Sequence, residues 1–396
     1  MFQKKLVTLL FSISFFIGFT QSVLTDKATI SVLTCGPGSE LYTTFGHSAF
    51  RIHDPKTGFD KVYNYGTFDF NAPNFYLNFA KGKLTYQLST TRFQYFLAEY
   101  RYENRWVKEQ VLNLNENEVV QVFNFLENNA KPENKNYQYD FFFDNCSTKI
   151  EEVLKKALPN TITFNNNHIT SHKTHRDLIA DYTKNQKWGK FGIDLALGSV
   201  IDKEATKDEY KFLPDYIFKA FENATINTDT IKLPLIKNEL TIIDEKPITK
   251  APFSFSFTPL FIFSIISFMI LFITYKNYKL KRRTKILDFL ILFVTGIVGV
   301  VVLLLWFATS HTATYKNLNF LWAFAPNLII AFYITKTNLK NWITTYYKVL
   351  TILLVITIIV WIFKIQVFNI AILPLIISLI IRYLYVIFIG KKIQNS

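Results

Sequence analysis

The chain has 396 residues, half of them hydrophobic, and a formal net charge of +14. The positive charge is concentrated in residues 251–396, which hold 14 Lys and Arg but a single acid, whereas residues 1–250 hold 30 basic and 29 acidic side chains. Basic residues between apolar stretches are typical of membrane-protein loops, not of a face that binds nucleic acid. We therefore expect a membrane bilayer as a partner and no nucleic acid.

Residues 1–24 have the pattern of an export signal. Lys4 and Lys5 precede the apolar run 6–19, which has the length of a signal-peptide core. No clear cleavage site follows, so cleavage near Ser22 and retention as an N-terminal anchor both remain open.

Residues 25–220 have the mixed pattern of an α+β domain. Strands are predicted at 29–34, 48–53 and 61–65. Helices are predicted at 95–110, 116–129 and 146–158. Residues 221–252 are rich in Asn, Thr, Lys and Pro, and we expect them to form a linker to the membrane.

Residues 253–396 contain five apolar stretches long enough to cross a bilayer as helices. They lie at 257–275, 286–308, 318–335, 349–363 and 368–389. The loop 276–285 carries six basic residues, whereas the alternate loop 310–317 carries only Lys316. The positive-inside rule then places residues 25–252 outside the cytoplasm and the C-terminus inside it. We expect a multi-pass domain of five helices.

Two short motifs offer a thiol and an imidazole about a hundred residues apart. Cys146 opens a predicted helix, and His47 begins a predicted strand just after Gly46. A helix N-terminus and a neighbouring histidine both lower the pKa of a thiol, and the resulting thiolate is a nucleophile. We therefore predict a thiol enzyme tethered to a membrane, with lipid as its substrate.

A catalytic histidine usually has a third residue that orients its ring. Asn64, on the strand predicted to face that of His47, is one candidate, and Asp144 is the other. Asp144 or Asn145 can also cap the helix that Cys146 begins.

The chain has only two cysteines, Cys35 and Cys146. Two cysteines in an oxidising compartment could pair as a disulfide, which would exclude a catalytic thiol. The alternative is that Cys35 is a buried strand cysteine and that Cys146 is free.

Several other polar residues could bind substrate. His311 lies in the outer loop of the membrane domain, where it could face the active site, contact a lipid phosphate or be an ordinary interfacial residue. Arg101 and Arg105 are four apart on a predicted helix and could bind phosphate, or form an exposed face paired with Glu109. Arg382 lies inside the last span, and we expect it to snorkel to the cytoplasmic surface.

Three histidines lie close together in the sequence, at His168, His172 and His175. No cysteine accompanies them and the region has a loop-like composition, so we predict no metal site and no cofactor.

The order of these motifs, a histidine on a strand and then Asn-Cys on a later helix, resembles circularly permuted, papain-like NlpC/P60 thiol enzymes. Segments around them are similar to the periplasmic domain of the Lnb-like lipoprotein N-acyltransferase family. The similar segments are 31–38, 45–52 (Phe45-Gly46-His47-Ser48 within it), 63–68, 128–134 and 139–148 (Asp144-Asn145-Cys146-Ser147-Thr148 within it). Residues 310–311 and 317–322 resemble the start of the outer motif of that family's membrane domain.

This resemblance implies that Cys146 accepts an acyl chain from phospholipid as a thioester, with His47 as its base. The chain would then pass to the N-terminal amine of a diacylglyceryl lipoprotein, at the periplasmic face of a bacterial inner membrane. The Arg and Asp expected soon after the cysteine are replaced by Lys149 and by Glu151 or Glu152, so an ion pair could be altered.

Two other functions are compatible with the sequence. The NlpC/P60-like order would also suit a membrane-tethered cysteine peptidase or amidase acting on peptidoglycan. A non-enzymatic membrane assembly or sensor module, with Cys35 and Cys146 oxidised to each other, is the third interpretation.

Overall fold

The computed structural model describes residues 24–227, 232–244, 257–336 and 340–394. The expected signal peptide or anchor therefore lies outside the described residues. The described chain forms an α+β domain, which we call the exported domain because the sequence predicts that it lies outside the cytoplasm, and a helical membrane domain.

An antiparallel sheet of seven strands is the centre of the exported domain, and its strand order is β10-β5-β1-β2-β3-β4-β6. The strands of this sheet are β1 (Thr29–Cys35), β2 (His47–Asp54), β3 (Phe59–Thr67), β4 (Thr85–Arg92), β5 (Val107–Leu112), β6 (Asn136–Gln138) and β10 (Ile236–Ile243). A small second sheet joins β7 (Ile162–Thr163), β8 (Thr225–Asn227) and β9 (Lys232–Pro234).

Over the described part of the exported domain, seven α-helices surround the sheets: α1 (Phe75–Ala80), α2 (Phe93–Tyr102), α3 (Glu116–Asn129), α4 (Cys146–Ala157), α5 (His175–Tyr182), α6 (Lys187–Ala196) and α7 (Pro214–Glu222). Helix α4 is amphipathic, and its residues Ile150, Val153 and Leu154 pack into one apolar cluster with Phe50 and Tyr63 of the central strands. Burial of this face holds the first residue of α4 at the edge of β2 and β3.

Two sequence expectations for this domain were wrong in part. The helix predicted over 95–110 ends at Tyr102, and residues 107–112 form strand β5, because alternate side chains such as Val107 and Glu109 are buried against β1. The expected linker 221–252 is structured over 225–227 and 232–243, where β10 completes the edge of the main sheet beside β5. Its polar composition suits an edge strand whose middle residues are exposed on both faces.

The membrane domain contains four helices that are long and apolar enough to cross a bilayer, counted over the described residues. They are α8 (Pro259–Lys279), α9 (Lys285–Phe307), α11 (Asn341–Ile362) and α12 (Leu373–Gln394). The third of the five predicted spans, at 318–335, is instead a short 3₁₀ helix (Leu318–Leu321) followed by a seven-residue helix, α10 (Asn327–Tyr333). The expectation of five spanning helices is therefore supported for four of them.

Residues 318–336 nevertheless run along α9 from one end of the bundle to the other. Two glycines of α9 allow this close approach: a Cβ at Gly299 would lie 2.0 Å from the carbonyl oxygen of Ala323, and one at Gly296 would lie 2.2 Å from the backbone nitrogen of Leu328. At the end far from the exported domain, Arg283 donates to the carbonyl oxygen of Ile334. Irregular backbone is tolerated at membrane depth where surrounding protein covers it.

Arg382 does not snorkel to the surface, contrary to expectation. It is fully buried, and its Nε donates to Asp288, the single acid after residue 250, at 2.7 Å. Asn277 accepts a second hydrogen bond from Arg382 at 2.9 Å. A partner of opposite charge within the bundle makes burial of the guanidinium less costly than it would be in lipid.

The two domains are joined by polar contacts at the end of α6. The side-chain amide of Asn317 donates to the carbonyl oxygens of Leu195 and Ala196, and that of Asn319 donates to Asp194. These carbonyls are the ones that the last turn of a helix leaves without partners. The membrane domain therefore caps a helix of the exported domain, which fixes the relative position of the two.

Candidate active site

The imidazole of His47 lies at the first residue of β2, next to β3. The strand register pairs Phe50 with Tyr63, so Asn64 lies diagonally across from His47 on the same face of the sheet. The Nε2 atom of His47 donates to Oδ1 of Asn64 at 2.5 Å. This bond turns the other ring nitrogen, Nδ1, away from Asn64 and leaves it for a second partner.

Cys146 is the first residue of α4, and Asn145 holds this start in place. The Oδ1 atom of Asn145 accepts from the backbone N–H groups of Ser147 and Thr148, while the Thr148 hydroxyl accepts from the Asn145 N–H. The Asn145 side-chain amide also donates to the carbonyl oxygen of Phe212, in the 3₁₀ helix Glu209–Phe212. A capping box of this kind stabilises the helix N-terminus and fixes the position of its first side chain.

The thiol of Cys146 and the imidazole of His47 form a buried interacting pair. Burial raises the pKa of Cys146, but the charge and hydrogen bond of His47, the backbone N–H of Ser48 and the Ser147 hydroxyl together bring it below the ordinary value of a thiol. Burial lowers the pKa of His47, but Cys146 and Asn64 outweigh burial and raise it. Opposite shifts favour the thiolate and imidazolium form, which is the reactive state of a cysteine nucleophile.

The helix start offers one backbone donor beyond those that Asn145 uses. Asn145 occupies the N–H groups of Ser147 and Thr148, so they cannot hold a developing oxyanion without breaking the cap. The Cys146 N–H remains at the positive end of the helix, beside Gly66. When a substrate carbonyl carbon is bonded to the Cys146 sulfur, the oxyanion on its former carbonyl oxygen would lie near this N–H group.

Asp144 does not lie against His47. It pairs with Lys149 at 2.7 Å, and burial raises its pKa despite that partner. Lys149 also pairs with Glu152 at 2.8 Å, so the substituted residues after the cysteine do form ion pairs. The residue beside the imidazole is Asn64, and Asp144 helps instead to hold the loop before α4.

The predicted substrate-binding residues lie in different places. Arg105 is buried, with its Nε donating to the carbonyl oxygen of Gly36 and its guanidinium paired with Glu103, so it is used structurally and does not pair with Glu109. Arg101 is exposed in the last turn of α2. His311 donates from Nε2 to the carbonyl oxygen of Phe79 at 3.1 Å, and so joins the membrane domain to the exported one.

Both cysteines have free thiols. Cys35 ends β1 directly opposite His47 in the strand register. Its complete burial raises its pKa to about 12. Cys35 therefore remains a neutral buried thiol, whereas Cys146 is the activated one.

The three clustered histidines have separate surroundings. His175 is buried at the start of α5 with its ring against Phe142, and burial lowers its pKa. His172 is exposed and pairs with Glu204. Within the described ranges, no group of three or more His, Cys, Asp or Glu side chains is arranged to hold a metal ion.

Two residues at this site were not singled out from the sequence. Gly66 has a φ of +87°, and a Cβ there would lie 3.5 Å from the Cβ of Cys146 and 3.6 Å from the ring of Tyr139. The available signal was a glycine directly after the strand predicted at 61–65, since a glycine in or beside a strand often marks a close approach. Thr312 donates to Asp140 at 2.6 Å, at the start of the loop that leads to Cys146, and no local pattern indicates that contact.

Fold and site together define a membrane protein whose exported α+β domain carries a paired thiol and imidazole. Comparison with known families agrees: the Lnb N-terminal periplasmic domain matches residues 16–181, and the Lnb transmembrane domain matches residues 250–393. The chain belongs to the Lnb-like family, which indicates a function related to lipoprotein N-acylation. No curated protein and no solved structure matches it.

Proposed function

We propose that this protein is a lipoprotein N-acyltransferase that works through a thioester on Cys146. The observation that carries the proposal is the buried pair of Cys146 and His47, with Asn64 bonded to the far side of the imidazole. A helix that begins with the thiol and packs on a sheet that carries the histidine is the arrangement expected of a permuted papain-like enzyme.

In the first half-reaction the Cys146 thiolate attacks the ester carbonyl of a phospholipid. The carbon–sulfur bond forms, the carbonyl electrons move onto oxygen, and the tetrahedral intermediate collapses by breaking the bond to the glycerol oxygen. His47 gives its proton to that oxygen, so a lysophospholipid leaves as a neutral alcohol. Asn64 would keep the ring oriented during this transfer.

In the second half-reaction the lipoprotein amine attacks the thioester. His47, now neutral, takes a proton from the attacking nitrogen, and collapse of the intermediate breaks the carbon–sulfur bond. An amide results, and Cys146 returns as the thiolate beside an imidazolium. Thioesters react readily with amines, which is why a sulfur nucleophile suits transfer to nitrogen.

Both proposed substrates are lipids or lipid-anchored, so the placement of the site matters. The outer loop of the membrane domain contacts the exported domain through Thr312 and His311. We infer that the exported domain lies on the periplasmic face of the inner membrane, with the C-terminus in the cytoplasm. In that orientation donor and acceptor would diffuse in the leaflet next to Cys146.

The test is intact-protein mass spectrometry of the full-length protein incubated with phospholipid. We expect an added mass of one acyl chain, mapped by peptide analysis to Cys146, that disappears in Cys146→Ala and persists in the matched Cys35→Ala variant. Release of the chain on addition of a diacylglyceryl peptide would complete the cycle. Absence of any adduct, with lipoproteins still N-acylated in cells that carry Cys146→Ala, would refute the proposal. Cleavage of peptidoglycan fragments without phospholipid would instead favour a peptidase or amidase.

A further inference from the structure

The segment after β3 exposes an unusual number of aromatic side chains. We call Phe68, Phe70, Phe75, Tyr76 and Phe79 the aromatic surface. Tyr76 is 82 % exposed, Phe70 61 % and Phe79 53 %, and they pack on the buried ring of Phe75, with Phe68 half-buried beside it. Exposed apolar patches of this kind mark sites of contact with another surface.

The contacts of this segment place it beside the end of a membrane helix. Ser310 donates from its backbone N–H to the carbonyl oxygen of Lys81 at 2.8 Å, three residues after α9 ends at Phe307. Gly82 is so close to His311 that a Cβ there would lie 3.0 Å from its backbone nitrogen. The aromatic surface therefore lies where the bundle leaves the bilayer.

The residues around the aromatic surface suit a lipid interface. Tyrosine and other aromatic rings are favoured at the boundary between headgroups and acyl chains, and basic side chains next to them attract lipid phosphates. Lys81 and Lys83 follow the surface directly and are exposed. The neighbouring Phe307, at the end of α9, is itself 73 % exposed.

A row of rings leads from this surface to the thiol. Phe68 lies 5.3 Å from Tyr86, and Tyr86 stacks on Tyr139 with ring centroids 4.2 Å apart. Tyr139 in turn borders Gly66. Because Gly66 has no side chain, it leaves space between Tyr139 and Cys146. Burial raises the pKa of Tyr86 to about 12, so its phenol stays neutral and the row carries no charge.

We propose that the aromatic surface rests in the outer leaflet of the bilayer and that the row Phe68–Tyr86–Tyr139 receives a lipid acyl chain and leads its ester to Cys146. The first part, insertion into lipid, stands on the membrane-helix contacts alone. The second part, delivery to the thiol, rests on the proposed function.

Insertion can be measured without catalysis. The full-length protein with Cys146→Ala would carry Tyr76→Cys labelled with an environment-sensitive fluorophore, in nanodiscs of phosphatidylethanolamine and phosphatidylglycerol. The matched control is Tyr95→Cys, which is also exposed. The aromatic surface lies before the start of β4, whereas Tyr95 follows its end, and a strand of eight residues is about 25 Å long. Lipids spin-labelled near the headgroup should quench the probe at position 76 and not at 95. Equal lack of quenching at both positions would overturn the insertion.

Delivery is measured as a ratio of two acylation rates. The variant Tyr76→Ser/Leu77→Ser removes exposed apolar side chains and leaves no cavity. Its rate of Cys146 acylation by bilayer phospholipid, divided by its rate with a water-soluble short-chain ester, should fall about tenfold or more below the wild-type ratio. Tyr95→Ser should keep the wild-type ratio. An unchanged ratio in the double variant overturns delivery. Absence of acylation of the wild type by either donor would refute the proposed function, and the quenching result would still decide insertion.

Discussion

The pKa of Cys146 is the quantity that a His47→Gln substitution should change most. Burial raises this pKa, and the imidazole of His47 is the largest of the influences that lower it below the ordinary value. Glutamine keeps a polar side chain of similar length but provides no positive charge. In the variant, burial is still opposed by the Ser48 N–H and the Ser147 hydroxyl, but no longer by the charge of His47.

Cys35 provides the magnitude, because it is a thiol of the same domain whose pKa is governed by burial. Its pKa is raised from 9.0 to about 12. If the Cys146 thiol moved toward that value, the change would be about three units or more, equivalent to about 4 kcal/mol at 1.36 kcal/mol per unit. Near pH 7 the fraction of thiolate would fall about a thousandfold.

The way in which reactivity changes with pH follows from the thiol of Cys146, which is the acid that loses its proton. A thiol is deprotonated above its pKa, so the lowered pKa of Cys146 makes the thiolate form at lower pH than in an ordinary thiol, and His47→Gln should shift reactivity toward alkaline solution. The assay is the rate of alkylation by iodoacetamide at each pH, followed by intact mass. His172→Gln is the matched control, since His172 is exposed and pairs with Glu204. If His47→Gln and His172→Gln give the same pH profile as the wild type, the proposed ion pair does not exist.

Two further predictions concern the support of the site and of the bundle. Asn64→Ala should slow formation of the Cys146 acyl adduct about ten- to a hundredfold, because the lost hydrogen bond both orients the imidazole and helps to raise its pKa. The alkylation pH profile should move toward alkaline solution, but less than in His47→Gln; an unchanged rate of acylation would contradict this role. Gly299→Ala would place a Cβ 2.0 Å from the carbonyl oxygen of Ala323 and should lower stability in detergent by about 1–3 kcal/mol. Gly192→Ala, where nothing lies within 4 Å, should raise stability by up to about 1 kcal/mol in the same thermal-unfolding assay, and equal effects of the two substitutions would contradict the packing argument.

Local patterns in the sequence were enough for the elements that position the thiol and the imidazole. Helix α3 has the predicted bounds, and α4 begins at Cys146 as expected, because an Asn145 cap and an apolar stripe at helical spacing are local signals. Strands β1, β2 and β3 were each predicted within two residues of their ends, because short runs rich in β-branched and aromatic residues between turns identify strands.

The sequence by itself thus determined which residues carry a thiol and an imidazole, that the exported part is mixed α and β, and that an apolar domain follows. Only the tertiary structure decided that Asn64 and not Asp144 meets His47, since that choice depends on strand register and on the ion pair with Lys149. It also decided that Arg382 is buried beside Asp288, across more than ninety residues of chain. Composition and periodicity report what each segment prefers locally, whereas such pairings arise only when packing brings distant segments together.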